Sequence, residues 1–567
     1  MLFINSNPCG KAVPRQVEKS LRRADLFTGH VKSVRHPYYK LDFLLLSAHK
    51  GRVIFTRFKP SLFLTLMLTT AVLVARGAEE SPPPRIDVIL WFDTEDYLLP
   101  ASDDSAKRLA ELLTERGIRA TFKVVGEKAR TLERGGRLDV IAALRHHAIA
   151  YHTDFHSVHP TPSEYLAECG LLDGVEDFVR RERAGASDVR RIFEVETLAC
   201  YGQPGSSWAA QAVAGLKSIG VAPSGVPCYV DEGSHIGLNH QPFWFDGVLN
   251  VYDMGPNCTR MELFNPDAVE PATQQFVAIA ERLRHGGGGA ISIYYHPCEW
   301  VHRQFWDGVN FARGRNPPRS EWKAPSQRTP EETDAAFRRF GQYIDRLRSM
   351  PGVRFVTASD LPTIYPDLVR KDGATRDELD ELAKRILQQD RGGVDFQVIG
   401  RKAFSVADQF EVLVSAVSGL NAGKEPRLPL AAPGLLGPDG PPPASKAEVQ
   451  IAWPAFQAAL ADVQNSLETE RRVPARVFIG AEAISPADFL YALASAYDRL
   501  RHAGASGSPE AVPLGRQIQL LPASHVAKDT PDLFGGWVIH PAGFRAPMIL
   551  EVARLQTWTL KPAIRGD

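Results

Sequence analysis

A short apolar run that ends in three acids constrains the fold of this chain more than any other stretch. Residues 86–97 read IDVILWFDTEDY, so that Asp93, Glu95 and Asp96 directly follow the apolar residues. A run rich in Ile and Val is typical of a buried strand, and parallel α/β folds build their active sites just past the carboxyl ends of such strands. The sequence therefore predicts a functional site around these acids.

A second apolar run, residues 148–151, leads into a segment that contains several histidines. His152 and His156 are four residues apart, a spacing that lets two imidazoles face one point if the segment makes a helical turn. Imidazole and carboxylate together are a common ligand set for divalent metal ions. We therefore predict a mononuclear metal site at this segment.

Predicted strands and helices alternate along the chain as far as residue 357. Besides the two runs above, the patterns predict strands at residues 120–126, 196–200, 228–230, 248–251, 290–295 and 353–357, and helices at residues 103–116, 139–145, 163–183, 211–219, 271–284 and 331–348. About seven strands alternating with helices over roughly 280 residues are typical of an α/β barrel rather than an open two-domain sheet. We therefore predict a distorted (β/α) barrel of about seven parallel strands over residues 85–366.

A smaller, mostly helical module is predicted for residues 380–567. Residues 398–410 (VIGRKAFSVADQF) recur in outline as residues 478–489 (FIGAEAISPADF), and each copy leads into an apolar helix with Ser405 or Ser485 as its expected N-cap. The Pro-rich residues 426–443 are expected to form an exposed connector between the copies. The module is interpreted as a packing partner of the barrel, with glycan or cell-wall binding as the alternative.

Residues 59–77 have the pattern of an export signal. A basic residue, Lys59, precedes an apolar stretch shorter than a membrane span, and small residues at Ala75 and Gly77 favour cleavage after Gly77. A signal anchor or a buried helix is the alternative. We therefore expect an exported protein, periplasmic, extracellular or at the cell surface, that contacts the membrane only through this signal or anchor. Residues 78–84 form a Pro-rich spacer, and residues 1–58 are an unassigned leader.

Charge and cysteine content narrow the possible partners. The 567 residues carry 66 Lys and Arg against 66 Asp and Glu. Since the formal net charge is zero and basic residues do not form a stripe with aromatic ones, nucleic acid is not expected as a partner.

Five of the six cysteines follow the export signal. One or two disulfides are therefore possible, and at least one thiol stays unpaired.

Five motifs occur in an order that resembles a known enzyme family. They are FDTED at residues 92–96, ATFKVVG at 120–126, HTDFHS at 152–157, YGQPG at 201–205 and IYYHP at 293–297. This succession resembles the polysaccharide deacetylases of carbohydrate esterase family 4 over residues 85–366. The resemblance implies a metal-dependent hydrolase that removes N-acetyl groups from a polysaccharide or cell-wall glycan by cleaving carbon–nitrogen bonds.

The resemblance also implies a role for individual residues. Asp93 matches the general base and His296 the general acid of the family. His152 and His156 match its metal imidazoles, and the third ligand is Glu95 or Asp96, with Glu95 favoured. The expected cofactor is one divalent ion, most often zinc in such sites. The expected substrate-binding residues are Tyr201, Pro204 and Trp300, and Phe305 and Trp306 are further candidates for stacking on a sugar ring.

Departures from the family pattern leave the substrate open. Gly202 stands where the family often has an arginine that holds the base, and both Asp231 and Asp246 are candidates to support His296. The chain therefore resembles a divergent member, and an allantoinase-like hydrolase of another carbon–nitrogen bond is an alternative.

Two other functions remain as rivals. Two imidazoles and one carboxylate also bind iron in non-haem oxygenases, although those sites lie on antiparallel barrels. A catalytically inactive glycan-binding or cell-wall-binding protein is the other rival.

Overall fold

The apolar run that begins at Ile86 forms an interior strand of a ten-stranded sheet. The computed structural model describes residues 84–388, 393–444, 450–502, 509–515 and 518–566. Its strands β1–β18 are, in chain order, Ile86–Thr94, Thr121–Val124, Ala148–Tyr151, Tyr201–Gly202, Cys228–Asp231, Phe243–Phe245, Val248–Tyr252, Gly289–Tyr295, Val353–Val356, Gly393–Val394, Gln397–Ile399, Lys402–Phe404, Gln450–Ala452, Val477–Ile479, Glu482–Ile484, Ala511–Pro513, Gln519–Leu520 and Lys561–Pro562.

Helices connect most of these strands. The α-helices α1–α17 are Pro100–Glu115, Gly126–Arg134, Leu138–Leu144, Pro162–Tyr165, Leu171–Ile192, Ala210–Gly215, Val269–His285, Trp306–Phe311, Pro330–Arg348, Leu361–Ile364, Leu368–Asp372, Arg376–Gln388, Val406–Asn421, Trp453–Glu470, Pro486–His502, Pro531–Gly535 and Pro547–Gln556. Short 3-10 helices span Leu216–Ile219, Pro297–Trp300, Ala312–Gly314, Arg319–Glu321, Ala358–Asp360, Leu521–His525 and Thr557–Thr559.

The large sheet is curled into a half-barrel of mostly parallel strands. Its order is β18-β6-β7-β5-β4-β3-β2-β1-β8, and β9 also pairs with β1. Six pairs in this order are parallel: β8–β1, β1–β2, β2–β3, β3–β4, β4–β5 and β5–β7. β6 pairs with β7 and with β18 in antiparallel fashion. The predicted α/β class with a barrel of mainly parallel strands is confirmed. The antiparallel pairs were not predicted.

β1 has partners on both of its edges, since it pairs with β2, β8 and β9. All nine of its residues are buried, as expected for a parallel strand covered on both sides by helices. In register, Thr94 pairs with Val124 of β2, Val124 with Tyr151 of β3, and Phe92 with Tyr295 of β8. The carboxyl ends of these four strands therefore meet at one edge of the sheet, where the predicted acids and histidines follow.

The C-terminal region contains the predicted duplication. The hairpins β11–β12 and β14–β15 each turn through a glycine with positive φ, Gly400 at 58° and Gly480 at 62°. Ser405 accepts a hydrogen bond from the Asp408 N–H at 3.0 Å and Ser485 from the Ala487 N–H at 3.1 Å. Both predicted N-caps are confirmed, and each hairpin leads into a helix, α13 or α15.

The C-terminal region also packs closely around its connector and against the barrel. Ala432 and Leu435 are buried in the second hydrophobic core, so the prediction of an exposed connector is wrong for these residues. Beyond the duplication, Ile549 and Leu550 of α17 belong to the core of the barrel, and β18 extends its sheet. The end of the chain is thus part of the first region's structure.

The predictions about export and disulfides concern different parts of the chain. The predicted export signal at residues 59–77, the leader and most of the spacer lie outside the described residues. Among the described residues, no helix has the length and apolarity to cross a membrane. Cys169, Cys200, Cys228, Cys258 and Cys298 are all free thiols, so the described part of the chain contains no disulfide.

A buried acid at the end of β5 predicts a pH-dependent stability. Burial raises the pKa of Asp231 from 3.8 to about 7. Because the folded protein binds this proton more tightly than the unfolded chain, its contribution to stability is fully present below about pH 4 and is lost as the pH rises through about 7.

We expect Asp231→Asn to raise the free energy of unfolding at about pH 8 relative to wild type, by roughly 2–4 kcal/mol, because the amide cannot ionise. The difference should vanish near pH 4. Urea unfolding at both pH values measures it, with Asp462→Asn, at an exposed position of α14, as the control. Equal stabilisation at both pH values would contradict the assignment.

Candidate metal centre

Glu95, His152 and His156 form a buried cluster whose ligand atoms converge. Nε2 of His156 lies 2.8 Å from Oε2 of Glu95, and Nε2 of His152 lies 3.8 Å from the same oxygen. One ligand atom of each residue lies within 4.8 Å of those of the other two, and all three side chains are buried. Nε2 of His152 has no hydrogen-bond partner. A buried, unpartnered nitrogen beside a carboxylate is the donor arrangement expected of a cation site.

Contacts outside the cluster hold the ligand atoms in place. Nδ1 of His152 donates to the carbonyl oxygen of Gly202 at 2.8 Å, which leaves Nε2 free to bind a metal. Nδ1 of His156 lies 2.6 Å from Oγ of Ser157, and Nε1 of Trp306 donates to Oε1 of Glu95 at 3.1 Å. Such partners fix the tautomer and ring orientation of metal-binding histidines. The residues present therefore fit a divalent ion.

The loop after β3 brings the two imidazoles together without a helical turn. Thr153 and His156 have positive φ angles of 64° and 57°, and Oγ1 of Thr153 accepts a hydrogen bond from the backbone N–H of His156 at 3.1 Å. The ring centroids of His152 and His156 lie 4.9 Å apart. Left-handed residues of this kind cost backbone strain and often occur at functional sites.

Asp96, the alternative third ligand, faces a different part of the protein. Its Oδ2 lies 3.5 Å from Nε2 of His302, and its Oδ1 accepts a hydrogen bond from the Leu98 N–H at 2.8 Å. Side chains two residues apart share a face of an extended chain. Asp93 and Glu95 therefore point to the cluster, and Asp96 does not.

Asp93 lies beside the cluster and is paired with a buried lysine. Its Oδ2 is 3.7 Å from Nε2 of His152, and its Oδ1 is 2.8 Å from Nζ of Lys123. Nζ also donates to Oδ2 of Asp253 at 2.9 Å. Burial alone would raise the pKa of Asp93, but the Lys123 ammonium and the imidazoles of His152 and His296 hold it below its usual value. Asp93 is therefore ionised at neutral pH.

The position of Gly202 explains how the lysine reaches Asp93. A Cβ at residue 202 would overlap Cδ of Lys123, so the absence of a side chain there makes room for Lys123 from β2. The cation beside Asp93 thus comes from β2 rather than from position 202.

His296 lies on the far side of the two acids. Its Nε2 is 3.8 Å from Oδ2 of Asp93 and 3.8 Å from Oε2 of Glu95, and its Nδ1 is 2.8 Å from Oε1 of Glu299. Glu299 is in turn paired with Arg260. Burial would lower the pKa of His296, but the carboxylates of Glu95 and Glu299 raise it to about 9 in the metal-free protein.

Neither acid expected to support His296 takes that role. Asp231 accepts a hydrogen bond from the Gly233 N–H at 3.1 Å, and Asp246 from Thr559 Oγ1 at 3.2 Å. Glu299, three residues after His296 on the same 3-10 turn, is the supporting acid instead.

The chain is similar to solved structures of carbohydrate esterase family 4, at low identity and low TM-score. A polysaccharide deacetylase candidate from Mycobacterium smegmatis is 16% identical, with a TM-score of 0.30 over 50% of this chain and 91% of that one. A family 4 carbohydrate esterase from Streptomyces lividans is 16% identical, with a TM-score of 0.24 over 47% and 89%. A pseudoenzyme of the family from Bacillus anthracis is 11% identical, with a TM-score of 0.25 over 48% and 65%.

No model of a known protein family matches the sequence, and no curated protein matches it.

Two of the three expected substrate-binding residues lie in the core. Trp300 and Tyr201 are fully buried there, and Trp300 packs on Tyr295, Phe337 and Phe340. Substrate contact is therefore wrong for both. Pro204 is buried as well. Trp306 is buried against Glu95, whereas Phe305 is 41% exposed beside His296.

Four residues of the site were not predicted from the sequence: Lys123, Glu299, Asp307 and Trp537. Burial and the nearby Glu95 raise the pKa of Asp307 to about 6. A lone lysine in an apolar strand and an acid three residues after His296 were available signals for the first two. Trp537 comes from the C-terminal region, and no local pattern connects it to the site.

Metal binding distinguishes the two candidate acids. We expect Glu95→Gln to weaken zinc binding by at least about tenfold, because it removes a charged ligand, and Asp96→Asn to bind zinc as the wild type does. Competition with a chromophoric chelator measures both affinities. Loss of binding in Asp96→Asn with retention in Glu95→Gln would reverse the assignment.

Proposed function

We propose that this chain is a metal-dependent deacetylase that hydrolyses N-acetyl groups of a polysaccharide or cell-wall glycan. The proposal rests on the position of Asp93 and His296, which flank the cluster of Glu95, His152 and His156. Asp93 is paired with Lys123, and His296 is paired with Glu299. Amide hydrolysis requires a base for water, a Lewis acid at the carbonyl and an acid for the leaving amine. The three functions are available within one site.

The protein residues divide the proton transfers between them. A divalent ion held by Glu95, His152 and His156, most suitably zinc, supplies Lewis-acid activation of the acyl carbonyl and of water when bound. Asp93, ionised beside Lys123, accepts the proton that the attacking water loses as its oxygen bonds to the acyl carbon.

His296 completes the reaction on the leaving group. Nδ1 of His296 lies 2.8 Å from Oε1 of Glu299, and a carboxylate at this distance favours the imidazolium form. Nε2 then donates its proton to the amine nitrogen as the carbon–nitrogen bond breaks. Acetate and the free amine leave, and solvent restores both protonation states.

We further propose that the protein is exported, to the periplasm, the cell surface or the medium, where N-acetylated glycans occur. The pattern of residues 59–77, with its basic flank and small residues at the predicted cleavage site, supports this proposal.

The function is tested by acetate release from chitin oligomers, peptidoglycan and N-acetylated exopolysaccharide. The zinc-loaded protein should release acetate from at least one of them. Asp93→Asn and His296→Gln should each lower kcat by about 10²–10⁴-fold, the usual contribution of a general base or acid. Glu133→Gln, an exposed acid paired with Arg191, is the control and should match wild type.

Other outcomes identify the rival functions. Iron in protein purified without added metal, together with turnover of 2-oxoglutarate, favours an oxygenase. Glycan binding that persists with no acetate release from any substrate favours a binding protein. Hydrolysis of an allantoin-like ureide in preference to N-acetylated glycans favours the other hydrolase class.

A further inference from the structure

A segment near the end of the chain lies directly on the candidate metal centre. The segment from Phe534 to His540 begins in the last turn of α16. Trp537 places its ring edge-on to the ring of His156, with centroids 5.5 Å apart at 88°. The indole also lies against the backbone of Gly205, where an added Cβ would overlap the ring. Part of the Trp537 side chain remains exposed. Trp537 is therefore a surface of the site that comes from outside the barrel sequence.

The barrel holds this segment firmly on both sides of Trp537. Phe534 O accepts a hydrogen bond from Ser206 Oγ at 2.8 Å, and Nε2 of His540 lies 3.0 Å from Oγ1 of Thr161. The carbonyls of Val538 and Ile539 accept hydrogen bonds from the backbone of Arg313 and Gly314 at 2.9 and 2.7 Å. The position of the indole is thus fixed before any substrate arrives.

A second aromatic side chain borders the site next to the general acid. The ring of Phe305 lies 4.8 Å from that of His296 at 81° and is 41% exposed. His156 and His296 both face Oε2 of Glu95. Phe305 and Trp537 therefore border the same site. Phe305 lies beside His296, and Trp537 lies beside His156.

We propose that Trp537, together with Phe305, forms an aromatic wall that stacks on the sugar rings of the substrate and so selects a glycan over a small acyl amide. This inference rests on the proposed function and adds its substrate-contacting residues. Flat apolar rings with exposed faces match the C–H faces of a pyranose, and burying them against it is favourable. The barrel and the C-terminal region together would then form the substrate site.

The test compares two substrates in zinc-loaded protein. We expect Trp537→Ala to raise KM for a chitin pentamer by about tenfold, in the range of an aromatic contact, with a small change in kcat. Hydrolysis of an N-acetylated aryl amine without a sugar should stay unchanged. Phe305→Ala should act in the same direction, Trp537→Phe should restore most of the affinity, and Phe478→Ala, an exposed aromatic in β14 that is 54% exposed, should have no effect.

A second measurement separates this inference from the proposed function. Calorimetric binding of the pentamer to Asp93→Asn protein, with and without Trp537→Ala, does not depend on turnover. Unchanged binding and KM in Trp537→Ala would overturn the inference and leave the function intact. A loss of zinc affinity, or equal loss of kcat on both substrates, would also overturn it, because Trp537 would then only position His156. Absence of acetate release by wild type contradicts the function, whatever the binding result.

Discussion

The burial of two carboxylates at the end of β1 is the constraint on which the rest of the site depends. Asp93 and Glu95 lie almost completely out of water, and ionised acids in such a place require compensating charge. Lys123 compensates Asp93, while the imidazoles of His152, His156 and His296 surround the two acids. Each buried acid therefore has a neighbour that compensates its negative charge, and a bound divalent ion would add further positive charge.

This charge balance also accounts for the glycine at position 202. An ammonium on a strand interior is costly unless it is paired, and Lys123 is paired twice, with Asp93 and Asp253. Gly202 makes that arrangement possible by leaving space for the lysine stem. Position 202 therefore has to be small, and the same lysine that requires this glycine also supplies the cation beside Asp93.

Local patterns predicted much of the sheet and the residues of the candidate metal centre. β1, β3 and β8 are mainly apolar runs with polar residues at their carboxyl ends, so Asp93, His152 and His156 could be found from the pattern of the sequence. The role of His296 came from the resemblance to a known family. Asp96 and Glu95 could not be separated from sequence, because the turn of the chain after Thr94 decides which acid faces the histidines.

Long-range packing explains the residues that the sequence misplaced or missed. Trp300 follows His296 closely, yet the 3-10 helix turns its ring into the core. β6 and β18 are more than 300 residues apart in the sequence, yet they pair. Trp537 reaches the site because the same C-terminal region packs back onto the barrel. Periodicity carries no information about such contacts.

X-ray absorption at the zinc edge, on protein loaded with one equivalent of zinc, reports which side chains bind the ion. We expect two imidazole nitrogens at about 2.0–2.1 Å and carboxylate oxygen at about 2.0–2.2 Å. A sulfur shell at about 2.3 Å, which would place the ion on one of the free cysteines, or a spectrum without imidazole scattering, would contradict it.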